Sequence, residues 1–224
     1  MRTSKLNRSI ASFLGAVLAL TLMNGVSARA RVVIREPFNG TASELPRGWK
    51  DIDGDWRRAK GSARIVEGSV SAQTNVAYSV RRMRRSYGKR GIAITSKVRL
   101  SPGLSNIGIV GPFRDVGNHL FCKVERTKPH PEGFLAIGRR LHGHKPEILV
   151  HESQIGLQAG QRYILKATRK RAKTTCSISQ AGARLAMLSD TMRPADRAAY
   201  GSGRKVGIRM RLVARGTRRD EDDG

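Results

Sequence analysis

Apolar and polar residues alternate with a period of two along most of this chain. In residues 91–100, Ile92, Ile94, Val98 and Leu100 fall on one side, and Ala93, Thr95, Lys97 and Arg99 on the other. In residues 205–212, Val206, Ile208, Met210 and Leu212 alternate with Gly207, Arg209 and Arg211. Leu120, Cys122 and Val124 alternate with Phe121, Lys123 and Glu125. Successive strand side chains point to opposite faces, so each run reads as a half-buried strand with one wet, basic face.

Weaker signals predict further strands at 32–35, 63–66, 70–72, 75–80, 106–110, 134–139, 147–152, 162–168, 174–179 and 183–188. Turn clusters punctuate them at Ser101-Pro102-Gly103, residues 115–118, residues 129–133, Ala159-Gly160 and Ala181-Gly182. Residues 190–199 allow one short helical turn, and no long helix is expected. Many short strands at regular spacing predict an all-β fold, a sandwich or a barrel.

The first thirty residues break this pattern. Arg2, Lys5 and Arg8 precede an uncharged apolar run from Ile10 to Met23, and Ala28-Arg29-Ala30 sets small residues at a cleavage position. That is the layout of a secretory signal peptide, so 1–30 is expected to be removed and the product secreted or periplasmic. The run is short for a membrane span, and no comparable stretch follows it, so no transmembrane segment is expected after processing. Residues 31–213 are expected to form one domain, and 214–224 a disordered charged tail.

Charge narrows the partners. The formal net charge is +26, from 43 Lys and Arg against 17 Asp and Glu. Four of the cations and none of the acids belong to the first thirty residues, leaving +22 for the remainder. Such a surface attracts anions at long range: acidic polysaccharide, nucleic acid or anionic lipid. Two cysteines remain, Cys122 and Cys176, each in a predicted strand. In an oxidising compartment they form one disulfide or stay as two buried thiols, and spacing leaves both open.

The N-terminal third carries a layout of short motifs. It runs Pro37-Phe38-Asn39-Gly40, then Leu45-Pro46-Arg47-Gly48-Trp49, then Gly54-Asp55-Trp56, then Glu67-Gly68. This resembles the opening of LamG-like, concanavalin A-like jelly-roll domains, including the 3-keto-disaccharide hydrolase-like group. Residues 107–110, 162–179 and 205–208 resemble core strands of the same family. The resemblance implies an all-β, two-sheet antiparallel jelly-roll sandwich and a role with carbohydrate. One departure is the end: the aromatic-Asp-Asp-aromatic closing strand usual in the family is replaced by Ala214-Arg215-Gly216-Thr217.

The candidate chemistry is mostly cationic. Arg81, Arg82, Arg84 and Arg85 stand in one basic run; Arg169, Lys170, Arg171 and Lys173 stand in another, at a predicted hairpin tip. Guanidinium groups take carboxylate, sulfate and phosphate in bidentate geometry, so these eight residues are the candidate anion-binding set. Trp49 and Trp56 read as core plugs before sugar platforms. Asp51, Asp53 and Asp55 could offer oxygens to calcium but do not fit an EF-hand loop, and His142 and His144 lack converging ligands. No cofactor and no metal site are expected. No G-x-S-x-G, P-loop, H-E-x-x-H or E-x-D-x-x-E motif occurs, so no catalytic residues are assigned.

These readings favour a secreted, non-catalytic, lectin-like module for an anionic or cell-surface glycan. A glycoside-processing hydrolase of the 3-keto-disaccharide type is the alternative the resemblance implies, and a carboxylate cluster inside a cleft would favour it. A nucleic-acid or anionic-membrane binder is the alternative that charge alone suggests.

Overall fold

In the computed structural model, residues 44–59, 62–65, 76–83, 91–100, 105–200 and 204–211 are described. The predicted strands at 32–35 and 70–72, the leader, the tail, Leu212, Arg84 and Arg85 lie outside them. The strands are β1 (Trp49–Asp53), β2 (Trp56–Ala59), β3 (Ser62–Ile65), β4 (Val76–Arg82), β5 (Ile92–Arg99), β6 (Ser105–Asp115) and β7 (Asn118–Thr127). They continue with β8 (His130–Arg140), β9 (Glu147–Ser153), β10 (Arg162–Lys170), β11 (Lys173–Gln180) and β12 (Ala183–Thr191). The short helix α1 (Pro194–Ala199) and β13 (Lys205–Arg211) complete the order.

Neighbouring strands pair antiparallel. One sheet has seven strands in the order β1-β4-β13-β6-β7-β8-β9; a second has four, β12-β11-β10-β5; β2 and β3 form a separate hairpin. Crossovers put β13 between β4 and β6, so distant segments become neighbours. This is the two-sheet antiparallel jelly-roll sandwich that the resemblance implied, and one of the two all-β folds that the period-two pattern allowed. The smaller sheet lies on the larger with β10 over β6 and β7, and β12 over β8 and β9.

The main core fills the space between the sheets. Leu100, Ile109, Val124, Leu135, Ile137, Leu165 and Ile178 are almost wholly buried there. Cys122 of β7 and Cys176 of β11 meet at its centre in a disulfide, with Cα atoms 5.7 Å apart. The two cysteines are therefore a covalent tie between the sheets and not free thiols.

The outer face of the small sheet is wet, as expected: Ala93, Thr95, Lys97 and Arg99 are exposed. The outer face of the large sheet is buried along β7 and at Arg209, which corrects the reading of these positions as a wet basic side, while Arg211 at the end of β13 is exposed as expected. Arg209 is 4% exposed, Lys123 9% and Glu125 7%. Two causes combine. A second apolar cluster of Tyr78, Val80, Val110, Phe113 and Phe121, joined by Ile52 and Val116, covers this face at one end. Farther along, polar groups neutralise one another: Lys123 pairs with Glu125, and Asn106 Nδ2 donates to Glu125 Oε2 at 2.8 Å. Gly138 makes room for this, since a Cβ there would lie 2.3 Å from the Phe121 ring.

One further detail differs from expectation. The break expected across residues 129–133 shrinks to a two-residue turn, because Thr127 pairs directly with His130. The Asp51–Asp55 segment, weighed above for calcium, is partly strand: Asp51 to Asp53 complete β1 before the bend at Gly54.

Candidate functional site

The register of both sheets brings the cationic segments to one end of the sandwich. Arg82, ending β4, stands opposite Lys205, which begins β13. Arg169, near the end of β10, stands opposite Ile92, which begins β5. Lys173, opening β11, stands opposite Thr191, which ends β12. Met192, just after β12, packs on Leu120 near the start of β7 and donates its N–H to the Ala172 carbonyl in the β10–β11 turn at 3.0 Å, so these strand ends of the two sheets belong to the same end.

Here the β10–β11 hairpin turns through Arg171 and Ala172, with Arg171 at a φ of 57°. Lys170, Arg171 and Lys173 are exposed, and Arg169 is half-buried. The Arg169 Nη2 group reaches the Met192 sulfur at 3.5 Å, and its Nε donates to the Arg171 carbonyl at 3.3 Å. Arg81 is half-buried, with its guanidinium beside Gly48, and Arg82 is exposed. Gly91, just before β5, lies against the second basic run. Its φ is 77°, and a Cβ added to it would fall 2.3 Å from the Arg169 carbonyl oxygen. Arg81 and Arg82 themselves stand on β4, which β13 separates from β6.

Beside the hairpin, between the β8–β9 edge and the β12–α1 segment, lies a cavity of about 190 Å³. It is lined by the apolar Leu120, Leu149 and Met192 and by Arg139, Asp190 and Tyr200, among others. Arg139 Nε donates to Glu147 Oε2 at 2.7 Å, and its Nη1 donates to Asp196 of α1. One guanidinium thus joins β8, β9 and the helix. Asp190 has no hydrogen-bond or ion-pair partner among the described residues. Tyr200 is 2% exposed and its hydroxyl is unpartnered. Burial is the main cause that pushes this hydroxyl up to about 12; the charges acting on it belong to Arg139, Asp196, Arg169 and Asp190. It is a permanent proton donor near neutral pH, sited among the charged walls of the cavity.

Sequence reasoning did not single out Arg139, Asp190, Asp196 or Tyr200. They are scattered from position 139 to 200 with no motif spacing, and only the sheet pairing assembles them. One signal was available: in a chain with 17 acids among 43 cations, each acid has many competing partners, so an acid left unpaired stands out.

The other candidates take structural roles. Trp56 is 2% exposed, and its indole N–H donates to the Asp53 carbonyl at 3.3 Å, so its ring plugs the fold. Asp51 accepts the Trp56 backbone N–H at 3.1 Å, and Asp55 pairs with Arg57 at 2.6 Å. Among the described residues no three metal-ligating side chains converge. His142 and His144 are exposed in the β8–β9 turn, where the Gly143 N–H donates to the Gly117 carbonyl at 3.1 Å.

No protein-family model matches the chain, and no curated protein matches it. Solved structures do match in fold. A mutant of the GH43 protein BlXynB from Bacillus licheniformis superposes with a TM-score of 0.55 at 19% identity, covering 77% of this chain and 34% of that one. The xylan beta-1,4-xylosidase from Bacillus halodurans C-125 gives 0.55 at 17%, covering 79% and 35%. The CBM2 module of the evolved Dit of Lactobacillus casei BL23 phage J-1 gives 0.51 at 10%, covering 81% and 96%. This chain spans about a third of the two Bacillus proteins and nearly all of the phage module. At these identities the likeness is one of fold, an antiparallel β-sandwich.

Proposed function

We propose that this chain is an exported, non-catalytic module that binds an anionic glycan at the cell surface through the basic end of its sandwich. The observation that carries this reading is the β10–β11 tip. Lys170, Arg171 and Lys173 lie within four positions, are exposed, and have no carboxylate partner among the described residues. An uncompensated cationic tip gains most from a sulfate or carboxylate ligand, because each neutralised charge releases a counterion. The sandwich fold shared with a carbohydrate-binding module supports a sugar ligand over other polyanions. Export is supported by the N-terminal pattern and by a disulfide at the centre of the core, a bond that persists in oxidising compartments.

The test is affinity against salt for heparin, a uronic-acid polymer and duplex DNA. One variant replaces Arg169, Lys170, Arg171 and Lys173; a control replaces four scattered arginines. The reading expects a glycan preference and a salt slope that the cluster variant flattens more than the control. Equal affinity for all three polymers removes the glycan and leaves a bland polyanion binder.

The hydrolase reading has one observation in its favour: Glu147, Asp190 and Asp196 all line the cavity. Glu147 and Asp196, however, share a single guanidinium, whereas a glycosidase sets its carboxyls on two sides of the scissile bond. Release of reducing sugar from 3-keto and ordinary disaccharides, abolished by Asp190→Asn, would establish that reading.

A further inference from the structure

Strand register divides the small sheet into an inner and an outer face. Even-numbered residues of β10 point outward, because Tyr163 and Leu165 between them are buried in the core. Arg162, Lys166 and Lys170 therefore stand on the outer face, and all three are exposed. Lys97 and Arg99 of β5 stand opposite Ile164 and Arg162 on the same face and are exposed as well. The Arg99–Arg162 pair, Lys97 and Lys166 occupy successive rows two residues apart, about 7 Å each. Thr168 fills the next row, and Lys170 the one after, where the tip begins. The cations thus form a stripe along the β5–β10 seam, about 27 Å long, that runs into the tip. Asp190 is the one acid in the four strands, and it stands opposite the buried Thr174 and lines the cavity instead. None of these five cations has a carboxylate partner among the described residues; Arg99 Nε donates to the Gly160 carbonyl at 3.0 Å.

We infer that the bound glycan is an extended polyanionic chain that lies along this stripe, from the tip to the Arg99–Arg162 pair. The inference rests on the glycan reading above for its ligand class and adds the path and the length of the bound chain. Like charges in a row with no acid among them repel one another. An anion laid along the row removes that repulsion and releases counterions. The charge is a line and not a plane: in the same rows the β11–β12 half of the face carries Ser177, Ser179 and Met187, with Arg184 its one cation away from the tip. A line fits a linear polymer, whereas an anionic lipid surface meets the whole face. Tyr163 is the one aromatic residue of the four strands and is 1% exposed, so nucleobases find no ring to stack on. The hydroxyls of Thr95 and Thr168 border the stripe, and they both donate to and accept from sugar oxygens.

The experiment measures the affinity of the full chain for heparin fragments of increasing length, from disaccharide to dodecasaccharide, across a range of salt. Affinity and salt slope should rise with length until a fragment spans the stripe. In the variant Lys97→Thr, Arg99→Thr, Arg162→Thr, Lys166→Thr, the log–log salt slope for the longest fragment should fall by about 2–3, since four lost charges contribute roughly 0.7 each on a single-stranded polyanion. The pair Lys97→Thr, Lys166→Thr should remove about half of that, and it decides the matter if thermal melting shows that the fourfold variant fails to fold. A control, Lys50→Thr, Arg114→Thr, Arg204→Thr, Arg211→Thr, removes four exposed cations outside this face and should change the slope much less. A slope that stops rising at the shortest fragments, or that falls no more in the face variants than in the control, overturns the inference. The tip reading then stands if the tip variant still flattens the slope. A slope lowered by the face variants and untouched by the tip variant upholds the stripe and overturns the tip. Duplex DNA is measured in parallel: if it binds as tightly as the longest heparin fragment, with the same loss in the face variants, the stripe is a nucleic-acid track and the inference is overturned.

Discussion

The guanidinium carbon of Arg209 lies 4.4 Å from the centroid of the Phe121 ring, across β6, on the outer face of the large sheet. The two side chains form the seam where the apolar cluster around Tyr78 gives way to the Lys123–Glu125 pair. Arg209 keeps its Nε and Nη1 without hydrogen-bond partners, and burial, its largest influence, lowers its pKa from the ordinary arginine value. A buried cation with incomplete hydrogen bonding is seldom a source of stability, while the ring beneath it is. Arg209→Met should therefore be neutral, or stabilising by about 1–2 kcal/mol, in urea unfolding. Phe121→Ala should cost about 3–5 kcal/mol. A loss above about 2 kcal/mol for Arg209→Met would show that the ring and Tyr78 satisfy the charge more fully than the hydrogen bonds suggest.

The Cys122–Cys176 bond closes a loop with a sequence separation of 54 and ties the two sheets at the core centre. In the chain-entropy account a loop of that length restricts the unfolded state by about 4 kcal/mol. Removing the bond in a Cys122→Ala, Cys176→Ala double variant should lower stability by about 2–5 kcal/mol. Reductant should shift the wild-type urea midpoint and leave the double variant's unchanged. An unchanged wild-type midpoint in reductant would contradict the bond.

Much of the fold was legible in the alternation of residues such as Ile94, Val98, Cys122 and Val124, because a one-sided strand advertises its core face. The same alternation misled at Arg209 and Lys123. A period-two pattern tells which side is polar, but not whether that side meets water or a second layer of structure. The basic tip was legible because its residues are contiguous. The cavity was not, because Arg139, Asp190 and Tyr200 become neighbours only through the β8–β9 and β11–β12 pairings and the return of α1.

His119 is fully buried among Tyr78, Phe113 and Phe121, with Nε2 3.4 Å from the Tyr78 hydroxyl and Nδ1 3.3 Å from the Asp115 carbonyl. Burial first, then the charge of Arg209, lowers its value from 6.5 to about 3. In the unfolded chain the imidazole takes a proton near 6.5, so between 6.5 and about 3 the unfolded state binds the extra proton. This contribution to stability is complete above pH 6.5 and declines as pH falls toward 3, by up to about 1.4 kcal/mol per unit. Stability measured across that window should fall more steeply for the wild type than for His119→Gln. Parallel curves would mean that the imidazole titrates normally in the folded protein.

Arg139 decides whether the cavity's carboxylates are scaffold or machinery. Its side chain is 12% exposed and Asp196 14%, whereas Glu147 is 56% exposed. A carboxylate near water gains little from an ion pair, and a mostly buried one depends on its partner. Glu147→Gln should thus change stability by less than about 1 kcal/mol. Arg139→Met should cost several times more, since it leaves the Asp196 carboxylate buried without its guanidinium and unties α1 from β8. Replacing both members, Arg139→Met with Asp196→Leu, should recover most of that loss, because no buried charge remains. The three variants are compared by urea unfolding. If Asp196→Asn alone is as stable as the wild type, the clamp is not structural. A buried acid maintained at no gain in stability is the pattern of a reacting group, and the hydrolase reading would then take precedence.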